Sequence, residues 1–301
     1  MLEAFLPVVL LLGAGALLRV RAGLGAGDAA ALNAVVIRVG LPATILLRVP
    51  SVLQSAPEVA WVAAVPWLLL AATFVVVAPL CRAFGWSREV ERALVLTVGL
   101  GNTSFLGYPV VRGLLGEEAL GIAVVLDQLG SFLALSAIGP LLAREQRTPG
   151  ATARAIVTFP PFVALLAAVA LGLAGWPLSG PLAAAAELAA GAMVPLALVA
   201  LGLGLRPRLP ADQRAPLAVG LLLKLVVLPA LVLLGLGALR LRGASAQVAL
   251  LESAMPPMVT AAALAESEGL APELARAMAG LGLLAAIATL PLAAWLAERW
   301  L

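Results

Sequence analysis

The sequence predicts an all-α, polytopic membrane protein with ten transmembrane helices, and three observations predict it: the composition, the spacing of the apolar segments and the distribution of basic residues. Of the 301 residues, 63% are hydrophobic and only 12% charged, and the mean hydropathy is +1.10. A soluble domain is about half apolar and about a quarter charged. A soluble chain of this size could not hide so much apolar surface, so lipid is the expected solvent for most of it.

A bilayer core asks for roughly 20 apolar residues per helix. Charge clusters and Gly/Pro punctuation divide the chain into ten segments of that kind: 5–20, 31–48, 59–81, 92–112, 118–142, 155–174, 181–205, 215–238, 246–265 and 274–297. The first is short, but Arg19 and Arg21 can extend their charges to the interface. Glu3 stands where a signal peptide would carry basic residues, so this segment is expected to be a retained helix. The links are short and leave no room for a soluble domain.

Links after segments 1, 3, 5, 7 and 9 hold twelve of the Lys and Arg residues, including Arg82, Arg88, Arg144, Arg147, Arg206 and Arg208. The opposite side holds five: Arg48, Arg112, Arg240, Arg242 and Arg299. Cytoplasmic loops carry the basic excess, so a multi-pass protein of the cell (inner) membrane with both termini outside the cytoplasm is expected. The pI near 10.0 reports this topology and does not call for nucleic acid. There is no histidine, and Cys81 is the single cysteine. The commonest general base and metal ligand are therefore missing, and no Gly-x-Ser-x-Gly elbow is present. An enzyme is not expected, nor is a resident metal or organic cofactor.

Ten segments divide into five and five, residues 1–145 and 146–301. Prolines recur in register between the halves: Pro7 with Pro160, Pro42 with Pro195, Pro79 with Pro229, Pro109 with Pro256 and Pro140 with Pro291. An odd unit forces the second half to enter the membrane inverted, the architecture of many secondary transporters. Two segments carry polar breaks at matching places. Segment 4 reads Gly99-Leu100-Gly101-Asn102-Thr103-Ser104-Phe105-Leu106-Gly107-Tyr108-Pro109, and segment 9 contains Glu252-Ser253-Ala254-Met255-Pro256-Pro257. Proline has no N–H, so the carbonyls of Phe105, Glu252 and Ser253 are expected to lose their helical partners and to face protein, water or an ion. A half-helix starting near each proline would direct its positive end at an anion. Pro42 and Pro195 are expected to make milder kinks.

The Gly101–Pro109 stretch resembles the signature of the auxin efflux carrier family, with Ser104 where glycine is more usual. Ala254-Met255-Pro256-Pro257, followed by Glu268-Gly269 and Pro272-Glu273-Leu274-Ala275, is similar to the ninth span of that family, and Gly202-Leu203 after Pro195 also fits. The resemblance covers the whole chain. It implies a secondary carrier of small organic anions such as carboxylates or auxin-like acids, in a compact prokaryotic member of a wider bile acid:sodium symporter-like group. It also implies a scaffold domain (spans 1, 2, 6 and 7), a transport domain (spans 3–5 and 8–10), helices 4 and 9 crossing at their breaks, elevator-like alternating access and a homodimer. A sodium-coupled bile-acid-type symporter, or an anion channel or mechanosensor on the same fold, is the alternative.

Ionisable groups at membrane depth default to functional candidates. Asp127, beside Gln128, is either a cation or proton site or a carboxylate paired with Lys224 or an arginine. Glu252, one turn before Pro256, is either part of a sodium or proton site or a structural acceptor. Lys224 attracts the anion, replaces a coupling cation as a fixed charge, or pairs with Asp127. Arg38 either binds a substrate carboxylate bidentately, or snorkels or pairs with another helix. Glu187 is expected at the interface. Asn102 leads the substrate set, because an amide serves anion and cation alike. Thr103, Tyr108, Pro109, Met255, Pro256 and Pro257 complete it, with Na+ or H+ as the coupling ion.

Overall fold

The computed structural model describes residues 2–55, 61–142, 148–205 and 213–301. Among them the secondary structure is helical, and the one departure is an isolated antiparallel bridge. Arg144, Arg147, Arg206 and Arg208, the 145/146 join and the first two residues of segment 3 lie outside the described residues.

The elements follow the sequence punctuation. Helix α1 (Leu2–Arg21) ends with Arg19 and Arg21 in its last turn, where cations complement the carbonyl end. Helices α2 (Ala26–Val35) and α3 (Leu41–Ser55) are joined by a π stretch at Val36–Gly40. Helix α4 (Ala64–Phe84) stops at Gly85, which takes the left-handed conformation that ends helices at low cost. Helix α5 (Arg88–Gly99) starts where the Ser87 hydroxyl accepts the Val90 N–H, with Glu89 and Glu91 in the first turn. A π stretch at Thr103–Gly107 leads into α6 (Tyr108–Leu115). Helices α7 (Glu117–Val125) and α8 (Leu133–Leu142) flank a seven-residue π stretch, Leu126–Phe132.

The second half runs α9 (Pro149–Val157), α10 (Pro160–Ala174), α11 (Gly180–Gly204), α12 (Arg214–Leu222), a π stretch at Leu223–Val227, α13 (Leu228–Ala238), α14 (Ala244–Ser253), α15 (Val259–Ser267) and α16 (Pro272–Trp300). Every apolar segment read from the sequence overlaps helix. Six helical stretches among the described residues are long and apolar enough to cross a membrane: Gly27–Val52, Trp61–Phe84, Glu117–Gly139, Gly180–Gly204, Arg214–Ala238 and Pro272–Trp300. Pro160–Ala174 is shorter, and segments 4 and 9 are interrupted. Large apolar side chains such as Val75, Leu173, Leu188 and Leu234 are exposed, as a lipid-facing surface requires. The chain is a polytopic membrane protein.

Three of the π stretches end two residues before a proline: Pro42, Pro109 and Pro229. The carbonyl that each proline ring would strike, four residues back, belongs to Arg38, Phe105 or Leu225, in the widened turn. One extra residue in the turn relieves that clash without stopping the helix. Pro195, by contrast, sits inside the uninterrupted helix α11.

The chain forms two compact units. The first comprises residues 1–61, 104–128 and 153–205; the second comprises residues 62–103, 129–152 and 206–301. Within the first unit, α1 and α11 meet through two glycines. A Cβ on Gly15 would lie 2.2 Å from the Val199 carbonyl oxygen, and one on Gly202 would lie 2.1 Å from that of Leu12. No side chain fits there, so the backbones touch as small-residue membrane interfaces allow. Arg19 closes the same pair by donating to the Leu205 carbonyl. Within the second unit, α12 and α16 pack against α5, α16 also packs against α14 and α15, and Gly282 of α16 leaves room for the ring of Pro257.

Candidate functional site

The site in the second unit is built from two interrupted helices. Helix α5 ends at Gly99, and Leu100 turns extended (φ −116°, ψ 126°). Helix α14 ends at Ser253, and the chain resumes helix at Val259 after Met258 (φ −64°, ψ 123°). Between those ends the two strands of backbone pair. The Asn102 N–H donates to the Pro256 carbonyl at 2.8 Å, the Met258 N–H donates to the Leu100 carbonyl at 3.0 Å, and Gly101 stands opposite Pro257. Pro256 and Pro257 cannot donate, so they cannot continue a helix, yet the carbonyl of Pro256 is free to accept. The two breaks therefore satisfy each other, which lipid could not do.

Their positions correct one expectation. The break in segment 4 falls at residues 100–102, well before Pro109, and the helix resumes at Thr103. Pro109 sits inside the resumed helix, where the π turn absorbs it. Gly99 and Gly101, and not the proline, mark the interruption. In segment 9 the break does fall on Pro256 and Pro257, and α15 begins immediately after them.

Lys224 reaches this crossing from the π stretch Leu223–Val227. Its ammonium donates to the Ser253 carbonyl at 3.2 Å. A Cβ placed on Gly101 would lie 3.1 Å from Lys224 Nζ and 3.3 Å from the Glu252 carbonyl oxygen. The Glu252 carboxylate acts on the ammonium electrostatically. Asn102, Thr103, Lys224, Glu252 and Ser253 are each at most 2% exposed, and Met255, Pro256 and Pro257 are buried with them. Seven of the residues singled out in the sequence are thus gathered at one place: Asn102, Thr103, Lys224, Glu252, Met255, Pro256 and Pro257.

The first unit holds a separate polar cluster. The Tyr108 hydroxyl donates to Asp127 Oδ2 at 3.0 Å, and Gln128 Nε2 donates to the same oxygen at 2.6 Å. All three side chains are buried, as is Pro109, and Gln128 Oε1 has no hydrogen-bond partner among the described residues. The wide Leu126–Phe132 turn carries Asp127 and Gln128 side by side. Tyr108 also lines a cavity of about 90 Å³ with Thr44, Met193 and an ion-pair network that the sequence reading did not anticipate. Arg48 Nη2 lies 3.1 Å from Glu117 and 3.2 Å from Glu187, and Arg112 pairs with Glu117. The only signal for it in the sequence was that Arg48, Arg112 and Glu187 all fall at links of one side. Arg38 is exposed on the Val36–Gly40 stretch and lines neither the cavity nor the Tyr108–Asp127 cluster.

Among the described residues, the charged side chains buried in the molecule are Asp127, Lys224 and Glu252. Interrupted, mutually paired helices with buried charges beside them are the binding architecture of secondary transporters. Comparison with known proteins decides the matter: residues 1–296 match the model of a family described as membrane transport protein. The chain belongs to that family. An uncharacterized transporter of Methanothermobacter thermautotrophicus is 29% identical to it over 293 residues, 96% of each chain. An uncharacterized transporter of Methanocaldococcus jannaschii is 28% identical over 233 residues, 75% of each chain. The auxin efflux carrier-like signature at Gly101–Pro109 is therefore the crossing segment of a membrane transport protein, and transport, not catalysis, is the role the family indicates.

Proposed function

We propose that this membrane transport protein is a secondary active carrier of small organic anions, carboxylates or auxin-like acids, working by alternating access. The observation that carries the reading is the crossing itself: a buried amide, Asn102, and a buried ammonium, Lys224, at two helix interruptions in one unit. An anion gains there from the amide N–H groups, from the fixed positive charge and from the amino-terminal end of α15. Asn102 and Thr103 are the substrate contacts, with the Met255–Pro257 backbone shaping the site. Tyr108, Asp127 and Gln128 form the second candidate group, where a proton or cation would be held. The helices of the crossing move as one body in an elevator-like step, and the basic links face the cytoplasm.

The test is a thermal-shift screen of the purified protein in detergent with small carboxylates, indole-3-acetate and bile acids, each with and without sodium. A ligand of the native state raises the melting temperature by mass action. A rise confined to organic anions supports the carrier and names its substrate class. Conductance that fails to saturate with anion concentration in planar bilayers, with a flat screen, would overturn it in favour of a channel.

A further inference from the structure

The crossing brings the carboxyl ends of two half-helices, α5 and α14, to one place. Such ends carry carbonyls without helical partners and the negative end of the helix dipole. Backbone pairing occupies the carbonyls of Leu100 and Pro256. At the end of α14 the Glu252 carbonyl accepts the Met255 N–H at 3.3 Å, and the Ser253 carbonyl follows it, both residues buried. Unwound backbone carbonyls and half-helix carboxyl ends are the oxygen donors that hold alkali cations in transporters.

In this protein a side chain stands at that position. Lys224 Nζ lies 3.2 Å from the Ser253 carbonyl oxygen, and a Cβ on Gly101 would be a tight fit, 3.1 Å from the ammonium and 3.3 Å from the Glu252 carbonyl oxygen. Lys224 is also the single lysine among 19 basic residues. A compact ammonium resembles a metal ion in charge and size, whereas the planar guanidinium of arginine does not.

We propose that the Lys224 ammonium is a tethered cation, permanently filling the position that a sodium ion would otherwise take at the crossing. Its consequence for transport rests on the carrier reading: anion binding proceeds in sodium-free medium. The occupancy itself does not rest on that reading, and its first readout needs no substrate.

The experiment compares melting of the purified full-length protein in sodium chloride and in choline chloride at equal ionic strength. The wild-type protein is expected to melt at the same temperature in both. Lys224→Ala removes the cation that the Ser253 carbonyl holds and Glu252 acts on; it is expected to melt lower in choline and to recover by about 3 °C or more as sodium is added. Lys224→Met fills the volume without the charge and is expected to melt lower without recovery. A sodium-dependent rise in the wild-type protein overturns the proposal. So does a Lys224→Ala protein that folds without responding to sodium, or equal recovery of both variants. If the alanine variant does not fold, the wild-type titration alone decides. Sodium behaviour as expected, with no organic anion bound in either salt, would sink the carrier reading and leave the tethered cation standing.

Discussion

At the scale of single residues, the crossing depends on side chains that are absent as much as on those present. Gly101 stands where a methyl group would meet Lys224 Nζ at 3.1 Å and the Glu252 carbonyl at 3.3 Å. Gly101→Ala is therefore expected to push the ammonium back slightly and cost about 1 kcal/mol, the low end of the range for overpacking a filled interior. The midpoint of thermal unfolding in detergent checks this. Asn102 contributes its backbone N–H to the bridge and, in the proposed reading, its side chain to the substrate; alanine removes only the second. Asn102→Ala should keep the wild-type melting temperature within a few degrees while losing the shift produced by the substrate anion; a normal substrate shift in this variant would remove Asn102 from the site. The buried charges were legible in the sequence because Asp127, Lys224 and Glu252 interrupt apolar runs, and a charge inside such a run has no cheap structural reading. The Arg48–Glu117–Glu187 network was not legible. Its members lie at segment ends, where charges are ordinary, and each pairs across 69 to 139 residues of sequence.

At the scale of elements, the prolines did two different things, and Pro109, read from the sequence as a break like Pro256, falls in the other group. Pro256 and Pro257 are adjacent, remove two N–H groups in succession and stop the helix. Pro42, Pro109 and Pro229 are isolated, and a single π turn ahead of each keeps the helix running. The interruption in segment 4 instead follows Gly99 and Gly101, where the backbone gains more from pairing with the Pro256 segment than from helix. Glycine has a second use between α1 and α11, where Gly15 and Gly202 set the distance of two backbones. Gly202→Val would place its Cβ about where the Leu12 carbonyl oxygen stands, 2.1 Å away. This substitution should lower stability by ~3 kcal/mol or more, beyond ordinary overpacking because the obstacle is backbone. A melting curve, or the fraction of monodisperse protein on size-exclusion chromatography, reads the loss.

At the scale of the whole molecule, the chain's two compact units do not coincide with its two sequence halves. Each unit takes segments from both halves, and the chain passes from the second unit to the first between Thr103 and Ser104. The placement of the termini outside the cytoplasm is a prediction at this scale, because it rests on basic residues summed over all the links. Cys81 is buried, so a single exposed cysteine reports cleanly. Trp300→Cys, at an exposed position near the carboxyl end, should react with a membrane-impermeant maleimide in right-side-out vesicles and not in inverted ones. The reverse pattern would turn the topology over.

The sequence by itself determined the solvent of this protein, the helical class, the places of its apolar segments and the presence of two polar interruptions. Each of these follows from local properties: hydropathy over some twenty residues, the missing N–H of proline, the cost of a charge in lipid. Only the tertiary structure decided that the interruptions pair with each other, that Gly101 faces Pro257, and that Lys224 lies at the end of α14. Those outcomes bring the backbone of segment 4 against that of segment 9, more than a hundred residues further along the chain, and the Lys224 side chain of segment 8 to the Ser253 carbonyl of segment 9. Local sequence signals that a carbonyl will need a partner; which partner arrives is settled by packing, because groups far apart in sequence must meet to satisfy it where lipid cannot.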